Sequence, residues 1–177
     1  MFKRFVSISQ HKKGRFNIDG EWFQFGRKQG INFAEKEKLV APEISLGGNF
    51  SYDEKGEFYS TTTIYGYIKK QGVTDSYKVL MAILNSQLCW WYLVNTGTVL
   101  SNGYFRYKPN YIKPFPIPII PPATTEILDE LVTQIIESKR TNNNIRIIEL
   151  ENRINQTVYN LYQLSETEIE EINLINH

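Results

Sequence analysis

Cysteine and histidine are almost missing from this chain. Cys89 stands alone, and the two histidines, His11 and His177, lie far apart. A single thiol closes no intrachain disulfide, and one Cys with two scattered His does not make a zinc-ligand pattern. No apolar run reaches the roughly 18–20 residues of a membrane span, and Met1-Phe2-Lys3-Arg4-Phe5-Val6 lacks the apolar core and small residues of a signal peptide. The expectation is a cytoplasmic protein with no membrane partner. The glycines are few, and no two stand two apart, which excludes a Gly-x-Gly-x-x-Gly dinucleotide turn. A phosphate loop ending in Gly-Lys-Ser/Thr and a Gly-x-Ser-x-Gly elbow are absent as well. The chain alone is expected to hold no catalytic residue, no metal and no cofactor.

Apolar residues make up 41% of the 177, enough for a real core. The net charge of +1 hides a gradient: residues 1–38 carry +5, residues 39–122 carry +2 and residues 123–177 carry −6. The basic part suits a polyanion and the acidic part does not.

Residues 1–75 read as strands and turns, with strands expected at 3–9, 21–26, 38–45, 49–52, 57–60 and 61–68. Asp53-Glu54-Lys55-Gly56 has hairpin length between two of these. Its carboxylates with Glu57 faintly resemble a nuclease cluster, but a solvated turn is the better reading. Val79, Leu80, Ile83, Leu84 and Leu88 recur at helical spacing, so a single buried helix is expected over 76–95 with Ser76 as its cap. Six of the seven prolines fall between Pro109 and Pro122. The run Pro114-Phe115-Pro116-Ile117-Pro118 can be neither helix nor central strand, and it marks a boundary. Beyond it, stripes at Ile127, Leu128, Leu131, Val132, Ile135 and Ile136, then at Ile147, Leu150, Ile154, Val158 and Leu161, predict an antiparallel helical hairpin. Ser165 and Glu168 have capping-box spacing for a last short helix. The fold expected is α+β: a mixed, β-rich body over 1–122 with one buried helix, then a helical tail over 123–177.

Candidates for chemistry are of the binding kind. Arg27, Lys28 and Gln29 follow the aromatic segment Trp22-Phe23-Gln24-Phe25-Gly26, and Asn102, Tyr104, Arg106 and Lys108 mix amide, aromatic and basic groups in a second stretch. Asn49 supplies another amide after Gly47-Gly48. Lys and Arg neutralise phosphate or pair with guanine edges, and Asn and Gln pair with adenine. Trp22, Trp90 and Trp91 are read as core rather than as base-stacking platforms.

An ordered series of short motifs carries a resemblance. Trp22-Phe23-Gln24-Phe25-Gly26-Arg27 comes first, then Lys38-Leu39-Val40-Ala41-Pro42-Glu43-Ile44. Asn49-Phe50, Asp53 and Gly56 follow, and then Leu84-Asn85-Ser86 within a helix. Next are Gly103-Tyr104 with Arg106, Tyr111-Ile112 and Pro116-Ile117-Pro118. Last come Leu150 and Ile154, Val158-Tyr159, Tyr162, and Leu164-Ser165-Glu166 with Glu168-Ile169. Across roughly residues 20–173 the chain resembles the TaqI-like C-terminal specificity domain of adenine-specific DNA methyltransferases and fused type II restriction-modification enzymes. Asn155 replaces the usual Asp, and Gln163 the usual Gly at a turn.

The resemblance implies a DNA target-recognition domain whose partners are double-stranded DNA and an upstream methyltransferase domain, the latter holding S-adenosylmethionine. It also implies that this chain is the specificity part alone, and no enzyme by itself. Half of a type I restriction specificity subunit, or a protein-interaction module docking through the helical hairpin, are the alternatives.

Overall fold

A computed structural model describes residues 31–59 and 63–175. The chain divides into two units, Met1–Phe33 and Ala34–His177. Of the first unit only a short 3-10 turn, Ile31–Phe33, is described. The strands expected at 3–9 and 21–26, and the basic group Arg27, Lys28 and Gln29, lie outside the described residues.

The second unit begins with a small antiparallel sheet. Strand β1 (Lys38–Pro42) is central, flanked by β3 (Ser51–Asp53) and β4 (Ile64–Tyr67). In its register Leu39 faces Tyr52 on one side and Tyr67 on the other. A second, two-stranded sheet pairs β2 (Ile44–Ser45) with β5 (Phe105–Arg106). The strand expected at 38–45 is thus two strands divided at Glu43. Its N–H donates to the Thr63 carbonyl (2.8 Å) and its own carbonyl accepts from the Tyr107 N–H (2.8 Å). One backbone residue serves both sheets, so the chain bends after Pro42 and changes partner.

The expected hairpin across residues 53–56 does not form. Residues 57–59 are not a strand, because Asp53 is not a solvated turn residue. Its side chain is 2% exposed and paired with Lys38, and it accepts the N–H groups of Glu57 (2.9 Å) and Phe58 (3.0 Å). A carboxylate that gathers two amides and an ammonium turns the chain around itself instead of letting it run on beside β3. Gly56 allows this at φ +69°, and a Cβ there would lie 2.3 Å from the Glu35 carbonyl oxygen.

The helix expected over 76–95 is two helices, α1 (Tyr77–Leu84) and α2 (Gln87–Thr96). Apolar periodicity continues through the joint, but Asn85 and Ser86 have other uses for their polar groups. The Asn85 amide takes both backbone groups of Phe50, donating to its carbonyl (2.9 Å) and accepting its N–H (2.8 Å). Ser86 is buried and caps α2 by accepting from the Cys89 N–H (3.3 Å). The Gln87 N–H is met by the Asn155 side chain (2.9 Å). Ser76 caps α1 as expected, accepting from the Lys78 N–H.

A one-turn helix, α3 (Pro109–Ile112), precedes the proline-rich run. Three helices follow: α4 (Pro122–Arg140), α5 (Asn144–Leu161) and α6 (Glu166–Asn173). The first two pack on each other as the predicted hairpin. Pro122 occupies the first helical position of α4, where its missing N–H costs nothing. Ser165 and Glu168 form the predicted capping box on α6. Helix α4 packs on α1, and α5 and α6 pack on α2. Leu39, Phe50, Ile83, Leu93, Phe105, Leu128, Leu150 and Val158 share one core. The architecture is α+β, and no helix among the described residues is long and apolar enough to cross a membrane.

Gln163, the departure noted at the helix turn, has φ +56°. The Leu164 N–H reaches back to the Tyr159 carbonyl (3.1 Å) and the Gln163 N–H to that of Asn160 (3.1 Å), the pattern that closes a helix through a left-handed residue. A left-handed L-residue costs about 1–2 kcal/mol, and glycine gives back part of that in unfolded-chain entropy. Gln163→Gly is therefore expected to stabilise the protein by about 0.5–1 kcal/mol, read as a higher urea midpoint at an unchanged slope.

Candidate nucleic-acid interface

The segment 104–108 alternates by burial as a strand with one wet face should. Phe105 and Tyr107 are buried, Arg106 and Lys108 are half-buried, and Tyr104 is exposed. Phe105 stands edge-on to Trp90, with ring centroids 5.1 Å apart, and Tyr107 stacks on the same indole at 6.4 Å. The Tyr107 hydroxyl donates to the Gly47 carbonyl, and its own carbonyl accepts from the Tyr67 hydroxyl (2.9 Å). Two aromatic side chains thus anchor this strand in the core. Trp90 is 3% exposed, so its reading as a core residue holds.

The outward face follows from register. Ile44 lies opposite Arg106, and cross-strand partners share a face. Ile44 and Leu46, two residues apart on one side, and Tyr104 and Arg106 on the other, are large side chains left partly open to solvent. The turn that leads into β5 is built by Asn102 and Gly103, consecutive left-handed residues at φ 66° and 78°. It brings Val99 into an antiparallel bridge with Phe105, and the Leu100 N–H donates to the Tyr104 carbonyl (2.7 Å).

Of the expected binding residues, Asn102, Tyr104, Arg106 and Lys108 therefore lie on one turn and strand. Asn49 ends the loop that leaves the neighbouring strand. Its amide is engaged inside that loop, donating to the Ser45 hydroxyl and to the carbonyl of Leu46 (3.2 Å). Sequence reasoning passed over Glu43. Its carboxylate lies 3.6 Å from Arg106 Nη1 and 4.0 Å from Lys108 Nζ. The signal was present as a lone acid inside an otherwise apolar strand segment. Ile44 and Leu46 carry no such signal, because an apolar residue in a strand reads as core until the register shows which face it occupies.

Other reactive groups sit elsewhere. Cys89 is fully buried, and burial pushes its thiol up to about 12, out of nucleophilic use near neutral pH. Among the described residues, no three of His, Cys, Asp and Glu come together as a metal-ligand set. The arrangement is a short two-stranded ribbon with two cations, an aromatic ring and aliphatic side chains on its open face.

A family model described as the TaqI-like C-terminal specificity domain matches residues 4–117. The matched stretch contains both sheets and the ribbon face, and it ends before α4, so the tail motifs at Leu150–Ile169 lie beyond it.

Proposed function

This chain belongs to the TaqI-like C-terminal specificity domain family, and from that membership we propose that it selects the target sequence for a restriction-modification DNA methyltransferase. Family membership places it among DNA-recognition specificity domains of methyltransferase-related proteins. The single observation that carries the finer reading is the open face of the β2/β5 ribbon. A two-stranded ribbon is one of the two elements that fit the major groove of B-DNA. On this one, Arg106 has the fork that pairs with guanine O6 and N7, and Ile44 and Leu46 offer apolar contact to thymine methyl groups. Lys108 supplies salt-dependent attraction to phosphate.

In this reading the chemistry belongs to a methyltransferase domain, which binds S-adenosylmethionine and takes the target base out of the duplex. The present chain holds the duplex and sets the register. Asn102, and Asn49 through its side-chain oxygen, since its NH2 group is spent inside its loop, are proposed as further contacts; Arg27, Lys28 and Gln29 of the basic N-terminal stretch are proposed separately as DNA-binding residues.

Grafting the chain in place of the corresponding domain of a related methyltransferase tests this. The methylated sequence is expected to change to that of the donor. Retention of the host's methylation pattern by an active chimera would defeat the proposal.

A further inference from the structure

We propose that Glu43 is a specificity-determining residue, a built-in competitor that keeps Arg106 and Lys108 from binding phosphate indiscriminately. The inference rests on the reading of the ribbon face as a DNA-contacting surface.

The geometry points to a countercharge. Glu43 is held by both of its backbone groups, one in each sheet's hydrogen-bond pattern, so the fold sets the point and direction from which its side chain leaves the backbone. Its carboxylate is 21% exposed and faces the more open Arg106 and Lys108. At 3.6 and 4.0 Å neither contact is a close ion pair, and the Arg106 Nε is buried without a hydrogen-bond partner. Such half-open pairs contribute on the order of 0–1 kcal/mol to folding, so fold stability gives little account of why one acid meets two cations here.

Binding gives an account. With Glu43 between them, the three groups together carry +1 where the cations alone would carry +2. A phosphate approaching either cation also meets the carboxylate within the roughly 10 Å Debye length at 0.1 M salt. Random duplex, which offers only phosphates, is penalised. A matched site is penalised less, because the carboxylate steadies the guanidinium and leaves its outer edge free for two base acceptors. Specificity is a difference of affinities, and weakening the wrong complex is one way to obtain it.

The test uses the full chain with a random-sequence 30-base-pair duplex and with a duplex that the wild type selects from a randomised pool. For Glu43→Gln, affinity for the random duplex is expected to rise about tenfold near 0.1 M salt. The slope of log K against log salt should steepen by about one phosphate's worth, roughly 0.9. The ratio of selected to random affinity should fall several-fold, by less than the gain on the random duplex. Glu43→Asp, which keeps the charge on a shorter arm, should stay near wild type on the random duplex and so separates lost charge from a disturbed bend. Unchanged random-duplex affinity and slope in a folded Glu43→Gln protein would overturn the inference while leaving the DNA-recognition reading intact. A loss confined to the selected duplex would also overturn it, since the carboxylate would then be reading a base directly. If the wild type binds neither duplex at low salt and selects no sequence, the recognition reading itself fails.

Discussion

Asp53→Ala is expected to destabilise the protein by about 3–5 kcal/mol, the range for removing one partner of a buried ion pair. Lys38 and Asp53 are almost fully buried, with side-chain exposures of 4% and 2% and an N–O distance of 2.5 Å. Truncation leaves the Lys38 ammonium with only backbone carbonyls, among them that of Ala34 at 2.6 Å. It also orphans the N–H groups of Glu57 and Phe58. Each unsatisfied amide adds about 1–3 kcal/mol in principle, though neighbouring losses do not sum. Replacing both Lys38 and Asp53 by Met and Leu should cost less than Asp53→Ala alone, because no unpaired charge remains. Urea unfolding of the three proteins measures this, and an Asp53→Ala midpoint shift worth under about 0.5 kcal/mol would show that the pair does not hold the fold.

The same pair sets an acid limit. Burial alone would raise the Asp53 pKa, but the hydrogen bond from Lys38 and the amides of Phe58 and Glu57 outweigh it and hold the carboxyl below its ordinary value. A carboxyl whose folded value is depressed contributes stability that is present above its unfolded value, about 4. That contribution is lost as pH falls from there through the lower folded value. Wild type should therefore lose stability over that window, and a protein lacking both members of the pair should lose less. This structural duty also argues against the faint nuclease resemblance at 53–57, since Asp53 is occupied inside the fold.

The second large effect is on binding. Arg106→Ala combined with Lys108→Ala is expected to lower affinity for a selected duplex about 10- to 50-fold near 0.1 M salt, from a lost base contact at Arg106 and a lost phosphate contact at Lys108, the latter changing the salt slope by roughly 0.9. The loss includes a repulsive part, because Glu43 is then left facing the duplex without its cations. Stability should hardly move: both side chains point away from the core, and their pairs with Glu43 are worth on the order of 0–1 kcal/mol. Circular dichroism and urea midpoints establish the fold, and a salt titration of affinity reads the contacts. Unaltered affinity and slope in the folded double variant would place the contact surface elsewhere on the protein.

Much of the fold is legible locally. The stripes from Ile127 to Ile136 and from Ile147 to Leu161 state two helices, because period and length suffice to define an amphipathic helix. Ser165 with Glu168 states where the last helix starts. The residues of the ribbon face are also legible as types, since Phe105 to Lys108 alternate aromatic and basic in period two. The family is legible in the order of many weak motifs, and the match over residues 4–117 agrees with it.

Three features were decided by distant partners. Glu43 bends the chain because Thr63 and Tyr107 claim its two backbone groups. Asn85 ends a helix whose apolar pattern runs on, because Phe50 offers it a bidentate backbone partner 35 residues away. Asp53 turns inward because Lys38 is waiting beneath it. By itself the sequence determined the helices of the C-terminal tail, which residues are candidates for DNA, and the family, since these depend on neighbours a few positions apart. Only the tertiary structure decided which polar side chains are spent on the fold and which remain open to a ligand. A hydrogen bond or ion pair between remote residues leaves no periodic trace along the chain.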